Sequence, residues 1–161
     1  MNANQKPTLL LIDGHSLAFR AFYALSPDSF KTPDGQHTNA VHGFISMLLN
    51  ILGAEKPTHL AVAFDLSRSS FRTDEYPEYK GTRGETPPEF NGQTELLREA
   101  LTAMNIKTIT RENYEADDIL ASLADQSGAK GFNVFVVSGD RDTFQLISES
   151  TTILYPVKGV L

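Results

Sequence analysis

The sequence predicts an α/β domain with a mostly parallel central sheet flanked by helices. Three observations carry that expectation. Short apolar runs stop at an Asp, stretches with apolar residues at i, i+3 and i+4 lie between them, and each connection is long enough to hold a crossover helix.

Thr8 to Asp13 is an apolar run ending at Asp-Gly, the pattern of a buried strand whose C-terminal end is Asp13. Val41, Phe44, Ile45, Leu48, Leu49 and Leu52 follow helical spacing without a miss, which gives a helix of about three turns stopping near Gly53. His59 to Asp65 repeats the first pattern, with Leu60 to Phe64 closed by an Asp. Gln93 to Met104 reads as a helix through Leu96, Leu97, Ala100, Leu101 and Met104. Lys107 to Thr110 is a weak strand. Glu115 to Ser127 is a helix with Ala116, Ile119, Leu120, Leu123 and Ala124 on its inner face, and Gly128 and Gly131 then punctuate. Asn133 to Ser138 is the third clear strand and runs into Gly139-Asp140-Arg141-Asp142. A short helix and a last strand near Thr152 to Tyr155 follow.

A chain of 161 residues with 40% apolar and 21% charged side chains has the profile of a single soluble domain that builds its core without staples. The absence of Cys excludes disulfides, zinc-thiolate sites, iron-sulfur clusters and cysteine nucleophiles, and a reducing cytoplasm is the expected compartment. Met1 to Pro7 is polar and the run Leu9 to Ile12 is far short of a signal-peptide core or a membrane span, so neither export nor membrane attachment is expected. A net charge of −6 argues against a generally basic nucleic-acid glove, but not against a local basic path beside an acidic centre.

Three strands therefore run into an Asp, and in open sheets of this kind ligands sit outside the carboxyl ends of the strands. Asp13, Asp65, Glu115, Asp117, Asp118, Asp140 and Asp142 are expected to share one crevice. Any one of them alone reads as a helix cap or a helix-dipole partner. Glu115 and Asp118 lie three apart and are expected on one helix face, with Asp117 turned about 100° from Asp118. That many carboxylates at one sheet edge would repel each other strongly without cations. All-oxygen donors select Mg²⁺ or Mn²⁺ over Zn²⁺, and two such ions about 4 Å apart suit phosphoryl hydrolysis.

The polar stretch over about residues 67–92 stands apart and reads as an insertion over the crevice. It carries Arg68, Arg72, Lys80 and Arg83, with Asp74, Glu75 and Glu78 nearly cancelling their charge and Pro77 interrupting any single helix. Arg72, Tyr76, Tyr79, Lys80 and Arg83 would interleave cations for phosphates with rings for base stacking. His15, His37, His42 and His59 show no ligating spacing. Ser16 has no His or Lys placed to activate it and reads as a helix N-cap.

Leu10-Leu-Ile-Asp13-Gly14, Ala63-Phe64-Asp65, Tyr114-Glu115-Ala116-Asp117-Asp118 and Ser138-Gly139-Asp140-Arg141-Asp142 resemble, in order and interval, the successive acidic motifs of the 5′ nuclease family. That family includes flap endonucleases and 5′-3′ exonuclease domains of bacterial polymerases, and the resemblance runs from about Thr8 to Leu161. It implies a PIN-like 5′ nuclease core with an arch insertion, in which the seven acids bind or organise the metals. It implies a substrate of branched DNA with a 5′ flap or free 5′ end, cut near the single-strand to duplex junction. Phe71-Arg72, Tyr79-Lys80 and Arg83 resemble the family's arch, with Lys80 and Arg83 as the phosphate contacts at the reacting centre. Arg20 and Asn39 match further positions on the DNA path.

The family pattern also continues with a helix-hairpin-helix region and further Asp residues that are not found here. The expectation is a catalytic core truncated at 161 and weakly active by itself, a monomer or a covalent part of a longer polymerase chain in a bacterial cytoplasm, at the nucleoid. A non-catalytic structure-specific DNA-binding or metal-binding module is the alternative. A compact RNA-cleaving domain with a related acidic edge would be shorter and lack the basic arch. A phosphatase of the haloacid dehalogenase type needs a second acid two residues after the first, where this chain has His15.

Overall fold

The apolar runs of the sequence are strands covered on both faces. The computed structural model describes residues 6–65 and 86–156. These form β1 (Thr8–Asp13), α1 (Gly14–Ala24), α2 (Asn39–Glu55), β2 (His59–Ala63), α3 (Gln93–Ala103), β3 (Lys107–Ile109), α4 (Ala116–Ala129), β4 (Asn133–Val137) and β5 (Thr151–Leu154). Short 3₁₀ turns occur at Pro27–Ser29, Pro88–Phe90 and Arg141–Leu146.

The five strands pair in the order β3-β2-β1-β4-β5, and every pairing is parallel. Leu10, Ile12, Val62, Phe64 and Val137 point to one face, where Leu17, Phe22, Phe44, Leu48, Leu97 and Leu101 of α1, α2 and α3 bury them. Leu11, Ala61, Ala63, Val134 and Val136 point to the other, against Ala116, Ile119, Leu120 and Ala124 of α4. Successive strand residues alternate between two apolar layers, so the run shows no polar gaps. The strand order reverses at β1. From there β2 and β3 extend one way, β4 and β5 the other, and right-handed crossovers put their helices on opposite faces. That reversal opens a crevice at the C-terminal ends of β1 and β4. Register sets its floor, because Asp13 stands beside Ala63 of β2 and Ile12 beside Val137 of β4.

Several elements differ from the sequence reading. Helix α1 was not anticipated, although Asp13 caps it and Leu17, Ala18, Ala21 and Phe22 form its buried stripe. Its first residue must be small, since a Cβ on Gly14 would lie 2.5 Å from the Phe64 ring. Gly43 does the same for the α1–α2 crossing, where a Cβ would come 2.8 Å from Ala21 Cβ. Helix α2 does not stop near Gly53 but continues to Glu55, ending where Lys56 turns left-handed at φ 45°. Helix α4 likewise runs through Gly128, and the left-handed residue is Gly131 at φ 89°. The expected insertion over about 67–92 is too long at its far end. Phe90 is buried, stacks on Phe19 at 4.4 Å and belongs to the core under α1. The segment 66–85, with Arg72, Tyr76, Tyr79, Lys80 and Arg83, lies outside the described residues. No helix among the described residues is long and apolar enough to cross a membrane.

Candidate active site

At the switch point the ends of β1, β2 and β4 and the start of α4 enclose a crevice of about 540 Å³. Asp13, Asp65, Glu115, Asp117 and Asp140 line it, together with His15, Ser16, Phe19, Arg141 and Tyr155. Four separate stretches of chain thus deliver carboxylates to one concavity.

Each acid is held by the element that ends or starts beside it. Asp13 is 4% exposed and caps α1, its Oδ1 accepting the Ser16 N–H at 3.3 Å. Its Oδ2 accepts the hydroxyl proton of the fully buried Ser138 at 2.9 Å. Asp65 crosses from the end of β2 to the first turn of α4, where its Oδ1 accepts the Ala116 N–H at 2.6 Å. Glu115 is the extended N-cap residue of α4, and Asp118 Oδ2 accepts its N–H at 2.9 Å as part of a capping box. Asp140 caps the following 3₁₀ turn by accepting the Asp142 N–H at 2.9 Å, while its own N–H donates to Ser138 Oγ at 3.0 Å. Asp117 is different. Its carboxylate accepts no hydrogen bond from any described residue, and it faces the crevice.

The electrostatics follow from this crowding. Burial, reinforced by the Asp117 charge, pushes the Asp13 carboxyl up to about 7, against the opposing hydrogen bonds from Ser138 and Ser16. Burial also pushes Asp117 up to about 6, and the charges of Asp140, Asp65, Glu115 and Asp142 add to it. The two acids therefore resist ionisation first because they are buried and then because acidic neighbours face them.

Seven acids were expected in one place, and the structure separates them. Asp13, Asp65, Glu115, Asp117 and Asp140 come together, and Asp142 is exposed at the rim, close enough for its charge to bear on Asp117. Asp118 does not join them. It borders a separate concavity with Ile109, Arg111 and Tyr114, because Glu115 is a cap residue in extended conformation and its three-residue spacing to Asp118 serves the capping box. Asn39 is also misplaced for a DNA contact. It is fully buried and donates from Nδ2 to the carbonyls of Phe22 and Leu25 at 2.8 and 3.0 Å, with Oδ1 accepting from Gln93 Nε2 at 2.7 Å. Arg20 lies at the crevice margin, its guanidinium 5.9 Å from the Tyr155 ring centroid. Ser16 is not the N-cap, a role that Asp13 fills. Its Oγ instead accepts the Gly139 N–H at 2.8 Å across the switch point. Sequence reasoning also passed over His15 and Phe19 as crevice residues. The ring contact between them, at 4.7 Å, could have been sought once α1 was recognised, since they stand four apart.

The donor set is oxygen-rich and without thiols, which suits a hard divalent cation. Among the described residues no group of three or more His, Asp or Glu side chains is placed to hold a metal ion by itself. Mg²⁺ fits such an open arrangement, because it keeps several waters and takes one or two carboxylates plus substrate phosphate oxygens. The Asp117 carboxylate, half-buried and without a hydrogen-bond donor among the described residues, is the group that most needs a positive partner.

The parallel 3-2-1-4-5 sheet with an acidic crevice at its switch point shares its fold with a solved T5 5′-exonuclease. The chain belongs to the 5′-3′ exonuclease family through its N-terminal, resolvase-like domain, the model of which matches residues 8–160. Among curated relatives, DNA polymerase I of Mycobacterium tuberculosis is 55% identical over 155 residues, covering 96% of this chain and 17% of that protein. DNA polymerase I of Bacillus caldotenax is 50% identical over 155 residues, again 96% of this chain and 17% of the relative. The chain thus spans about a sixth of the length of these relatives. Among solved structures, a bacteriophage T5 flap endonuclease complex with DNA and metal ions superposes with a TM-score of 0.69 at 24% identity, covering 92% of this chain and 54% of that one.

Proposed function

We propose that this domain hydrolyses phosphodiester bonds of DNA bearing a 5′ flap or a free 5′ end, with Mg²⁺ or Mn²⁺, two ions at a time, held at the acidic crevice. The observation that carries the reading is the convergence of Asp13, Asp65, Glu115, Asp117 and Asp140 on one crevice, where burial and neighbouring acidic charges raise Asp13 and Asp117. Asp13, Asp117 and Asp140 would hold the ions directly or through water, and Asp65, Glu115 and Asp142 would act around them. When bound, the ions activate water and stabilise the leaving oxygen. The chain's own part is to hold the carboxylates in a half-buried site, where charge interactions are stronger than in bulk water. Membership of the 5′-3′ exonuclease family and the T5 complex with DNA and metal ions support the same reading.

Arg20 would meet the phosphate backbone at the margin. Lys80 and Arg83 would act on the scissile phosphate, with Arg72, Tyr76 and Tyr79 along the same single strand. The domain would work as a monomeric unit or within a longer polymerase chain, in the bacterial cytoplasm. The test is cleavage of a 5′-flap DNA with Mg²⁺ or Mn²⁺ by the full polypeptide that carries these residues. Asp140→Asn is expected to remove cleavage and leave the fold intact, and a variant that cuts at the wild-type rate refutes the metal assignment. Lys80→Ala and Arg83→Ala are expected to slow cleavage more than they weaken duplex binding. Equal loss in both would reduce them to general electrostatics.

A further inference from the structure

We propose that Ser138 is a positioning residue that sets the orientation of two crevice carboxylates at once, an inference that rests on the cation reading above. Its side chain is fully buried between the ends of β1 and β4, where nothing but protein can satisfy it. A hydroxyl has one proton to give. Because Ser138 Oγ accepts the Asp140 N–H at 3.0 Å, that proton is directed to Asp13 Oδ2 at 2.9 Å. One atom therefore ties the carboxylate that ends β1 to the backbone of the residue that carries the next carboxylate after β4. The Ser16 N–H fixes the other oxygen of Asp13, so each oxygen is engaged by one donor and retains a lone pair for the crevice. Without the Ser138 hydroxyl, Asp13 Oδ2 is free to rotate and the Asp140 N–H has lost its acceptor.

Gln93 supplies an internal control. It is equally buried and fully hydrogen-bonded, but neither it nor its partners line the crevice. A general loss of stability and a loss of carboxylate orientation therefore predict different results for Gln93→Leu and Ser138→Ala. Donors that hold a ligand carboxylate from behind typically change metal affinity about 10- to 100-fold when removed.

The test is a Mn²⁺ titration of the full polypeptide read by the electron paramagnetic resonance signal of free Mn²⁺, with thermal melts as a check on folding. Ser138→Ala is expected to weaken Mn²⁺ binding by about 10-fold or more. Ser138→Thr, which keeps the hydroxyl, restores it to within about threefold, and Gln93→Leu shifts it by no more than about twofold while lowering the melting temperature. Unchanged Mn²⁺ binding in Ser138→Ala overturns the inference. So does a loss in Gln93→Leu as large as that in Ser138→Ala, or a failure of Ser138→Thr to restore binding in a folded protein. If the wild-type crevice binds no Mn²⁺, the cation reading itself falls, a result separate from any of these.

Discussion

Two clusters of buried polar side chains sit in this domain, and their difference separates scaffold from site. Asn39 and Gln93 are 0 and 1% exposed, Asp13 and Glu115 4 and 6%, so burial alone does not distinguish them. Satisfaction does. Gln93 Oε1 accepts the N–H groups of Ala40 and Val41 at 2.8 and 3.3 Å, and its Nε2 donates to Asn39 Oδ1 and to the Glu89 carbonyl at 2.7 and 3.0 Å. With Asn39 bound to the ends of α1, the two neutral amides join three helices and leave no side-chain polar atom spare. The acidic cluster also caps helices, yet its charges are all of one sign and Asp117 accepts nothing from the described residues. A buried polar network complete within the chain stabilises the fold, whereas one that lacks its counter-charge marks where a ligand belongs.

The sharpest way to break this contrast is Asp117→Asn. Removing a charge from the repelling set is expected to lower flap cleavage about 10³-fold, some 4 kcal/mol in barrier. The metal-free melting temperature should rise by a few degrees at the same time. A melting temperature that drops would show that Asp117 is a structural residue after all.

Gln93→Leu addresses the other cluster. Leaving the α2 N-terminal amides and Asn39 without their partner is expected to cost roughly 2–4 kcal/mol, visible as a melting temperature lower by roughly 5–15 °C. Mn²⁺ affinity should stay within about twofold. If affinity falls in step with stability, the two clusters are not independent.

Gly14→Ala lies between the two regions, at the join of β1 and α1. Forcing a Cβ against the Phe64 ring is expected to cost about 1–3 kcal/mol in denaturant unfolding. A neutral result would mean that the ring moves aside freely.

The remaining effect is spread out over pH. Asp13 and Asp117 have folded-state values raised above 3.8, so the folded protein binds more protons than the unfolded one between about 4 and 7. Their contribution to stability is complete below about 4 and is lost as pH rises through 6 and 7, at no more than about 1.4 kcal/mol per pH unit for each group. Denaturant titrations without metal should show this decline, and saturating Mg²⁺ should flatten it. Stability that increases over this range would contradict the placement of the acids.

Much of the architecture was legible in the residues. Leu10, Leu11 and Ile12 announce a strand buried on both faces, and the strands that run into Asp13, Asp65 and Asp140 place acids at one edge of a parallel sheet. Helix α1 also had a signal, in the pairs Leu17 with Ala21 and Ala18 with Phe22, but His15, Ser16 and Arg20 interrupt the pattern. Neighbouring residues were harder to tell apart. Asp117 and Asp118 are equivalent as sequence, and their separation depends on where the helix begins. Once Glu115 is the cap, one turns to the crevice and the other back to its own helix end. Asn39 carries no mark that the start of α2 is turned inward.

By itself, the sequence determined most of the elements, the parallel character of the sheet and the acids at its strand ends, because periodicity and chain length constrain local structure and the room for crossovers. Tertiary structure alone decided which acids meet, since helix phase and strand register act across more than a hundred residues, as in the contact between Asp13 and Ser138. Charge balance is likewise a property of the assembled layers, and it is what divides the neutral amides of Asn39 and Gln93 from the like-charged carboxylates of the crevice.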